Sequence, residues 1–65
     1  MSLNLIEIQA TYQAIHTNME TIAQLSQQKM TTTVDIELYL SQVQEILKAI
    51  KEDAEKISDL EELKE

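Results

Sequence analysis

Few side chains in this chain are of the types that carry catalytic or metal-binding chemistry. His16 is the only histidine, and Glu20 follows it one helical turn later. A di-iron site in a helical bundle needs the Glu-x-x-His pattern, which this sequence lacks, so His16 is interpreted as a boundary residue rather than a metal ligand. The chain contains no cysteine, which excludes disulfides and thiolate metal sites. We therefore predict no metal and no cofactor.

Nucleophilic catalysis has equally little support in the sequence. The serines are Ser2, Ser26, Ser41 and Ser58. A serine nucleophile needs a positioned base and an acid that orients it, and so short a chain offers no fixed pair of this kind. The prediction is that the protein is not an enzyme and takes no small-molecule substrate.

The most strongly charged part of the chain is its C-terminal half. The formal net charge is −7, and residues 35–65 carry −6 of it. This balance argues against direct binding to nucleic acid or to an anionic membrane surface, because like charges repel. An acidic helix end is commonly just solvated. The functional alternative is an acidic docking face for a basic protein surface, formed by Glu52, Asp53, Glu55, Asp59, Glu61 and Glu62.

The elements that would position these side chains are helices. The 65 residues include no glycine and no proline, the residues that most often break helices. In the N-terminal half, six large apolar residues recur at alternating steps of three and four, which places them on one stripe of a helix. They are Leu5, Ile8, Tyr12, Ile15, Met19 and Ile22. Asn4 followed by Glu7 has the form of a capping box, so this helix is predicted over about residues 4–30.

A second helix is predicted over about residues 35–62. Its stripe consists of Ile36, Leu40, Val43, Leu47, Ile50, Ala54 and Ile57, widened by Tyr39, Ile46 and Leu60. A turn is predicted at about residues 31–34, because consecutive β-branched residues are poor helix formers and Thr32 with Asp35 repeats the capping-box spacing. The alternative is one continuous helix, since no residue in the turn strictly forbids it.

The whole chain, residues 1–65, is thus predicted to be one all-α unit, an antiparallel two-helix hairpin of coiled-coil type. Folding about the turn pairs residues whose numbers add up to about 65. The predicted pairs are Ile8 with Ile57, Ile15 with Ile50, Met19 with Ile46, Ile22 with Val43, and Tyr12 with Ala54. Two helices cannot enclose a core, so we expect the hairpin to assemble into a four-helix bundle, as a dimer or with a helical partner.

The side of the first helix opposite its apolar stripe carries no charge. It comprises Leu3, Ile6, Ala10, Gln13, Thr17, Thr21 and Gln24. Depletion of charge marks the centre of protein interfaces more clearly than bulk hydrophobicity does. This side is therefore predicted to be a protein interface, with a neutral solvated surface as the alternative.

Three functional hypotheses follow. The leading one is a non-enzymatic helix–helix interaction module, such as an adaptor, co-chaperone or regulator, whose partner is another protein or a second copy of the chain. The alternatives are an acidic inhibitor or decoy, encoded by a phage or bacterium, that occupies a basic nucleic-acid-binding site, and a structural subunit of a helical assembly. In length and helicity the chain is similar to the small hairpin co-chaperones of type III secretion systems.

The expected location is the cytoplasm. The longest apolar runs are far shorter than the ~20 residues that span a bilayer. The N-terminus also lacks the basic flank and apolar block of a signal peptide.

Overall fold

The computed structural model describes residues 3–62, which form two α-helices joined by a short connection. Helix α1 is Leu3–Leu25 and helix α2 is Thr33–Glu62. The helices pack against each other, and residues 3–62 contain no strand. The all-α helical hairpin is therefore confirmed, and the single continuous helix is wrong. Within these residues, neither helix has an apolar stretch long enough to cross a membrane.

The two helices meet along a seam of side chains whose exposure is reduced. The seam residues of α1 are Asn4, Ile8, Thr11, Ile15, Asn18, Ile22 and Leu25, and those of α2 are Tyr39, Val43, Ile46, Ile50, Asp53, Ile57 and Leu60. Both sets recur at alternating steps of four and three residues, which is the heptad pattern of a coiled coil. Thr11 and Ile57 are the most enclosed, each with 5% of its surface exposed.

The predicted stripe of α1 is only half right. Its three isoleucines lie in the seam, but its other members are substantially exposed: Leu5 at 42%, Tyr12 at 54% and Met19 at 56%. Thr11, Asn18 and Leu25 occupy the seam instead. Small polar side chains at two of these positions let the helices approach closely, whereas a tyrosine ring and a long methionine there would hold them apart. Met19 is mostly exposed whereas Ile46 lies in the seam, and the predicted pairing between them stays a prediction.

The predicted stripe of α2 is displaced in the same direction. Ile36, Leu40 and Leu47 remain 46–51% exposed, and Ala54 is also exposed. The residues predicted merely to widen the stripe, Tyr39, Ile46 and Leu60, are seam residues. A seam between only two helices accepts a narrow stripe from each, so one edge of a wide stripe stays outside.

The first helix ends earlier than predicted, at Leu25 rather than near residue 30. Hydrogen bonds from the Gln27 amide to the Gln24 carbonyl and from the Gln28 amide to the Leu25 carbonyl, both 3.1 Å, tighten its end into a 3₁₀-type turn. The connection of residues 26–32 then crosses to the second helix, and connections of two to eight residues are usual between packed helices.

The start of α2 is fixed by the predicted capping box. The Thr32 hydroxyl accepts a hydrogen bond from the Asp35 amide at 3.1 Å, and the Asp35 carboxylate accepts one from the Thr31 amide at 3.1 Å. These bonds satisfy backbone donors that a helix start leaves without partners. The Thr32–Asp35 box is confirmed. The cap predicted at Asn4 is wrong, because Asn4 is already helical and its side chain lies in the seam.

We predict that Thr32→Ala lowers the free energy of unfolding by about 1 kcal/mol, the usual contribution of an N-cap hydroxyl. Thermal and urea unfolding followed by circular dichroism measure this loss. Thr32→Ser retains the hydroxyl and should remain close to the parent chain. Equal losses in the two variants would show that the hydroxyl does not act as the cap.

A second prediction concerns pH. The hydrogen bond from the Thr31 backbone amide, assisted by hydroxyl contacts from Thr31 and Thr32, lowers the pKa of the Asp35 carboxyl below its usual value. A carboxyl with a lowered pKa stabilises the fold above its unfolded pKa, and this contribution is lost as the pH falls through the folded pKa. The stability difference between the parent chain and Asp35→Asn should be constant at neutral pH and shrink below about pH 4. Urea titrations across that range measure it, and a pH-independent difference would contradict the assignment.

Candidate protein-interaction face

The two broad sides of the hairpin can be told apart by the residues that flank the seam. In an antiparallel pair of helices, equivalent heptad positions of both helices lie on the same side of the seam. One side contains an open groove near the turn, lined by Thr21, Leu25, Ser41, Gln42, Glu45 and Ile46. We call Ile8, Ile15 and Ile22 of α1 and Val43, Ile50 and Ile57 of α2 the isoleucine–valine set of the seam. Thr21 comes one position before Ile22, and Gln42 comes one position before Val43. Because Thr21 and Gln42 line the same groove, the groove side is the side of the residues that come one position before the isoleucine–valine set. The opposite side of the hairpin carries the residues that come four positions after that set.

The opposite side of the hairpin is predominantly apolar. It carries Leu5, Tyr12 and Met19 of α1 and Leu40, Leu47 and Ala54 of α2, which we call the apolar face. Members within each helix are seven residues apart, so they form two parallel rows that run beside the seam. The five large side chains are each 42–56% exposed. Ile36, which is 46% exposed, extends the face at the turn end of the hairpin.

The groove side is polar by comparison. The equivalent positions there are Glu7, Ala14 and Thr21 of α1 and Gln42, Ala49 and Lys56 of α2. None of these side chains is large and apolar. The hairpin is therefore amphipathic across its thickness, with the seam between an apolar and a polar side. This asymmetry is a property of the folded pair, because it depends on both helices turning the same heptad position to the same side.

The rim of the apolar face has little charge. Its outer neighbours are Gln9, His16 and Ala23 on α1 and Glu37, Gln44, Lys51 and Ser58 on α2, which amount to one acid, one lysine and one histidine. His16 Nε2 lies 3.2 Å from a Glu20 carboxylate oxygen, and both side chains are well exposed. The pair is a surface contact one helical turn long, which contributes little to stability. Of the remaining acids of α2, Glu61 continues the row of Leu40, Leu47 and Ala54 at the end of the apolar face, and the others lie away from this face.

Polar side chains occupy a regular column within the seam. Asn4, Thr11 and Asn18 recur every seven residues on α1, and Asp53 lies at the equivalent position of α2. The Thr11 hydroxyl is satisfied by donating to the Glu7 carbonyl at 2.7 Å. Polar residues at seam positions of coiled coils reduce stability and are a known means of specifying one register. The seam thus sets the alignment of the helices, and the bulkier apolar side chains lie on the face.

The structure places the interface residues predicted on α1 away from the apolar face. Leu3, Ile6, Ala10, Gln13, Thr17 and Gln24 are exposed along the outer edge of α1, while Thr21 is half-buried in the groove. Leu3 and Ile6, at 78% and 49% exposed, are its only large apolar members. The outer edge of α1 remains a prediction as an interface.

The acidic docking residues are not all brought together. Glu52, Glu55, Asp59, Glu61 and Glu62 are exposed on α2, but Asp53 is half-buried in the seam and does not share their surface. Residues 63–65, the end of the acidic stretch, lie outside the described residues. The docking role of the remaining acids stays a prediction.

The candidate nucleophiles and metal ligands are dispersed. The Ser26 hydroxyl donates to the Ala23 carbonyl at 2.7 Å, Ser41 lines the groove, and Ser58 is exposed near the end of α2. Ser2 lies outside the described residues. Within residues 3–62, no three histidine, aspartate or glutamate side chains are grouped closely enough to hold a metal ion.

Comparison with protein-family models, curated proteins and solved structures finds no match for this chain. The apolar face is therefore interpreted from its own geometry. Sequence reasoning missed it as a separate surface, although a signal was present: Asn4, Thr11 and Asn18 repeat every seven residues, in step with Leu5, Tyr12 and Met19. Two adjacent repeats of the same period indicate a seam with a second surface beside it.

The seam and the apolar face should contribute differently to the stability of the isolated hairpin. Ile57→Ala removes an enclosed side chain, and we expect a loss of about 2–4 kcal/mol, which is enough to unfold so small a chain. Leu47→Ala, whose side chain is half exposed, should cost less than about 1 kcal/mol when measured by circular dichroism at the lowest workable protein concentration. A larger loss for Leu47→Ala than for Ile57→Ala would contradict the assignment of the seam.

Proposed function

We propose that this protein is a non-enzymatic helix–helix interaction module, of the kind that serves as an adaptor, co-chaperone or regulator. It acts by presenting its apolar face to two further helices, which cover the face and complete a four-helix bundle. The observation that carries the proposal is the row of exposed large side chains, Tyr12, Met19, Leu40 and Leu47, on one side of the hairpin. This is the surface that an apolar helix pair would recognise.

The proposal is supported by the small amount of apolar surface that the hairpin encloses by itself. Among the described residues, Ile57 is the only apolar residue that is buried. Stable domains bury the apolar side of each layer against another layer, and a single layer of two helices leaves one side without cover. Contiguous apolar patches on soluble proteins commonly mark interaction sites, whereas scattered apolar residues do not.

The distribution of charge supports the same surface. Charged residues are depleted at the centres of protein interfaces, and the apolar face has none among its large members. The nearest charges are Glu37 and Lys51 on its rim, which are of opposite sign, and Glu61 at its end. The outer edge of α1 carries one acid, Glu20, in the row of Ile6 and Gln13, and its other members are mostly small or amide side chains that offer less apolar area for a helix to bury.

Site-specific photo-crosslinking in the native host tests the proposal. A benzophenone amino acid in place of Leu47 is compared with the same probe in place of Leu38, which is 59% exposed and lines a hollow with Gln42 of the groove side. A probe in place of Met19 repeats the test from the other helix. We expect strong, discrete adducts from positions 47 and 19 and weak ones from position 38, because only the face is covered by a partner.

The same experiment separates the rival surfaces. Adducts that form mainly from Gln13 would favour the outer edge of α1, and adducts mainly from Glu55 would favour docking through the acidic residues of α2. Equal crosslinking from all positions, or none from positions 47 and 19, would overturn the proposal.

A further inference from the structure

We infer that the partner which covers the apolar face is a second copy of this chain, so that the working form is a symmetric dimer of hairpins. The inference rests on the proposed function, since it names the occupant of the same face. It is carried by three properties of the hairpin: its surface area, its shape, and the charge around the face.

The exposed surface area of the hairpin exceeds that of a compact monomer by about the area that one partner buries in a protein interface. The hairpin exposes 5233 Å² for a mass of 7.5 kDa. A folded monomer of this mass exposes about 4,200 Å² by the usual scaling of surface with mass. The excess, roughly 1,000 Å², is close to the ~800 Å² that each partner buries in a standard protein interface. Covering one face would therefore reduce the exposed surface area of the chain to that of a folded monomer of the same mass.

The shape of the hairpin favours an occupant of the same dimensions. The backbone measures 52 × 15 × 9 Å, which is a slab one helix thick. Two rows of apolar side chains lie beside each other on this slab, so an occupant that covers both presents two helices side by side. A second copy supplies this arrangement, because a two-fold axis in the plane of the face lays one hairpin upon the other with all neighbouring helices antiparallel.

The side chains of the face are complementary to themselves. Along α2 the row reads Leu40, Leu47, Ala54 and Glu61, so large Leu47 is followed by small Ala54, and along α1 Tyr12 is followed by Met19. Stacking two identical faces with their turns at opposite ends places Leu47 over Ala54 of the partner and Tyr12 over Met19 of the partner. Large side chains then meet small ones, and an aromatic ring meets a thioether, which is a favourable contact.

Electrostatics permit this contact and indicate how salt should affect it. Each chain carries −7, yet the apolar face has an almost neutral rim, so apart from Glu61 at the end of the face the excess like charges of two copies lie on their outer surfaces. Their repulsion acts over a distance comparable with the screening length of ~10 Å at 0.1 M salt. A strongly charged partner would instead require an oppositely charged rim, which this face does not have.

Sedimentation equilibrium of the full chain tests the inference. We expect a dimer at tens of micromolar protein and a dissociation constant that falls as salt is raised from about 0.01 to 0.15 M, because screening weakens the repulsion. Leu47→Glu should weaken dimerisation at least 100-fold, since two carboxylates enter the centre of a symmetric face. The variant should stay helical by circular dichroism, because a glutamate at position 47 precedes Lys51 by four residues, a stabilising spacing.

The matched control is Leu38→Glu, which makes the same chemical change at an equally exposed leucine off the face. It should dimerise like the parent chain. A parent chain that stays monomeric at about 1 mM would overturn the inference, as would equal dimerisation of both glutamate variants or open-ended assembly beyond a dimer.

The outcomes distinguish this inference from the proposed function. If the parent chain is monomeric but position 47 crosslinks in cells to a protein of another mass, the interaction module stands and the second copy is excluded. If the parent chain is monomeric and position 47 yields no adduct, both are excluded. An adduct of twice the chain mass from position 47, together with a dimer that Leu47→Glu dissociates, supports both.

Discussion

The structure depends on the limited width of the seam that two helices can share. Each helix gives its partner one narrow stripe, here anchored by Ile8, Ile15 and Ile22 against Val43, Ile50 and Ile57. Apolar side chains outside that stripe cannot be enclosed between the two helices, although their exposure to water is unfavourable. The sequence is apolar over a wider arc than the seam accommodates, and the surplus becomes the apolar face. The fold and the apolar face therefore have one cause.

The distribution of residue types between seam and face explains why the surplus is so large. A seam made only of aliphatic residues would bury more apolar area, yet this seam includes Asn4, Thr11, Asn18 and Asp53. These polar residues restrict the register, while Tyr12, Met19 and Leu47 remain outside. The seam is thus less stable than an aliphatic one would be, and large apolar side chains are left on the apolar face. The arrangement is typical of a component whose full stability is reached in an assembly.

Local features of the fold could be predicted from the sequence because local chemistry determines them. The helices follow from periodicity, and the start of α2 follows from the Thr32–Asp35 capping box, whose hydrogen bonds the structure contains. The choice between two stripes could not be predicted, because Ile8, Ile15 and Ile22 belong to both. Hydrophobicity favoured the stripe with Tyr12 and Met19, whereas close helix approach selects Thr11 and Asn18. Packing between helices decides this, and it overrides the ranking of residues within one helix.

An exposed apolar face also couples folding to association. Backbone and side-chain ordering costs roughly 1.5 kcal/mol per residue, and a seam that encloses so few side chains offsets that cost only marginally. Whatever covers Met19, Leu40 and Leu47 binds the folded hairpin and not the unfolded chain, so it adds its binding free energy to the stability of the fold. Stability measured on the isolated chain is then a function of protein concentration if the cover is a second copy, and of partner concentration if it is not. The proposed contacts would thus complete the hydrophobic core of the hairpin as well as bind its partner.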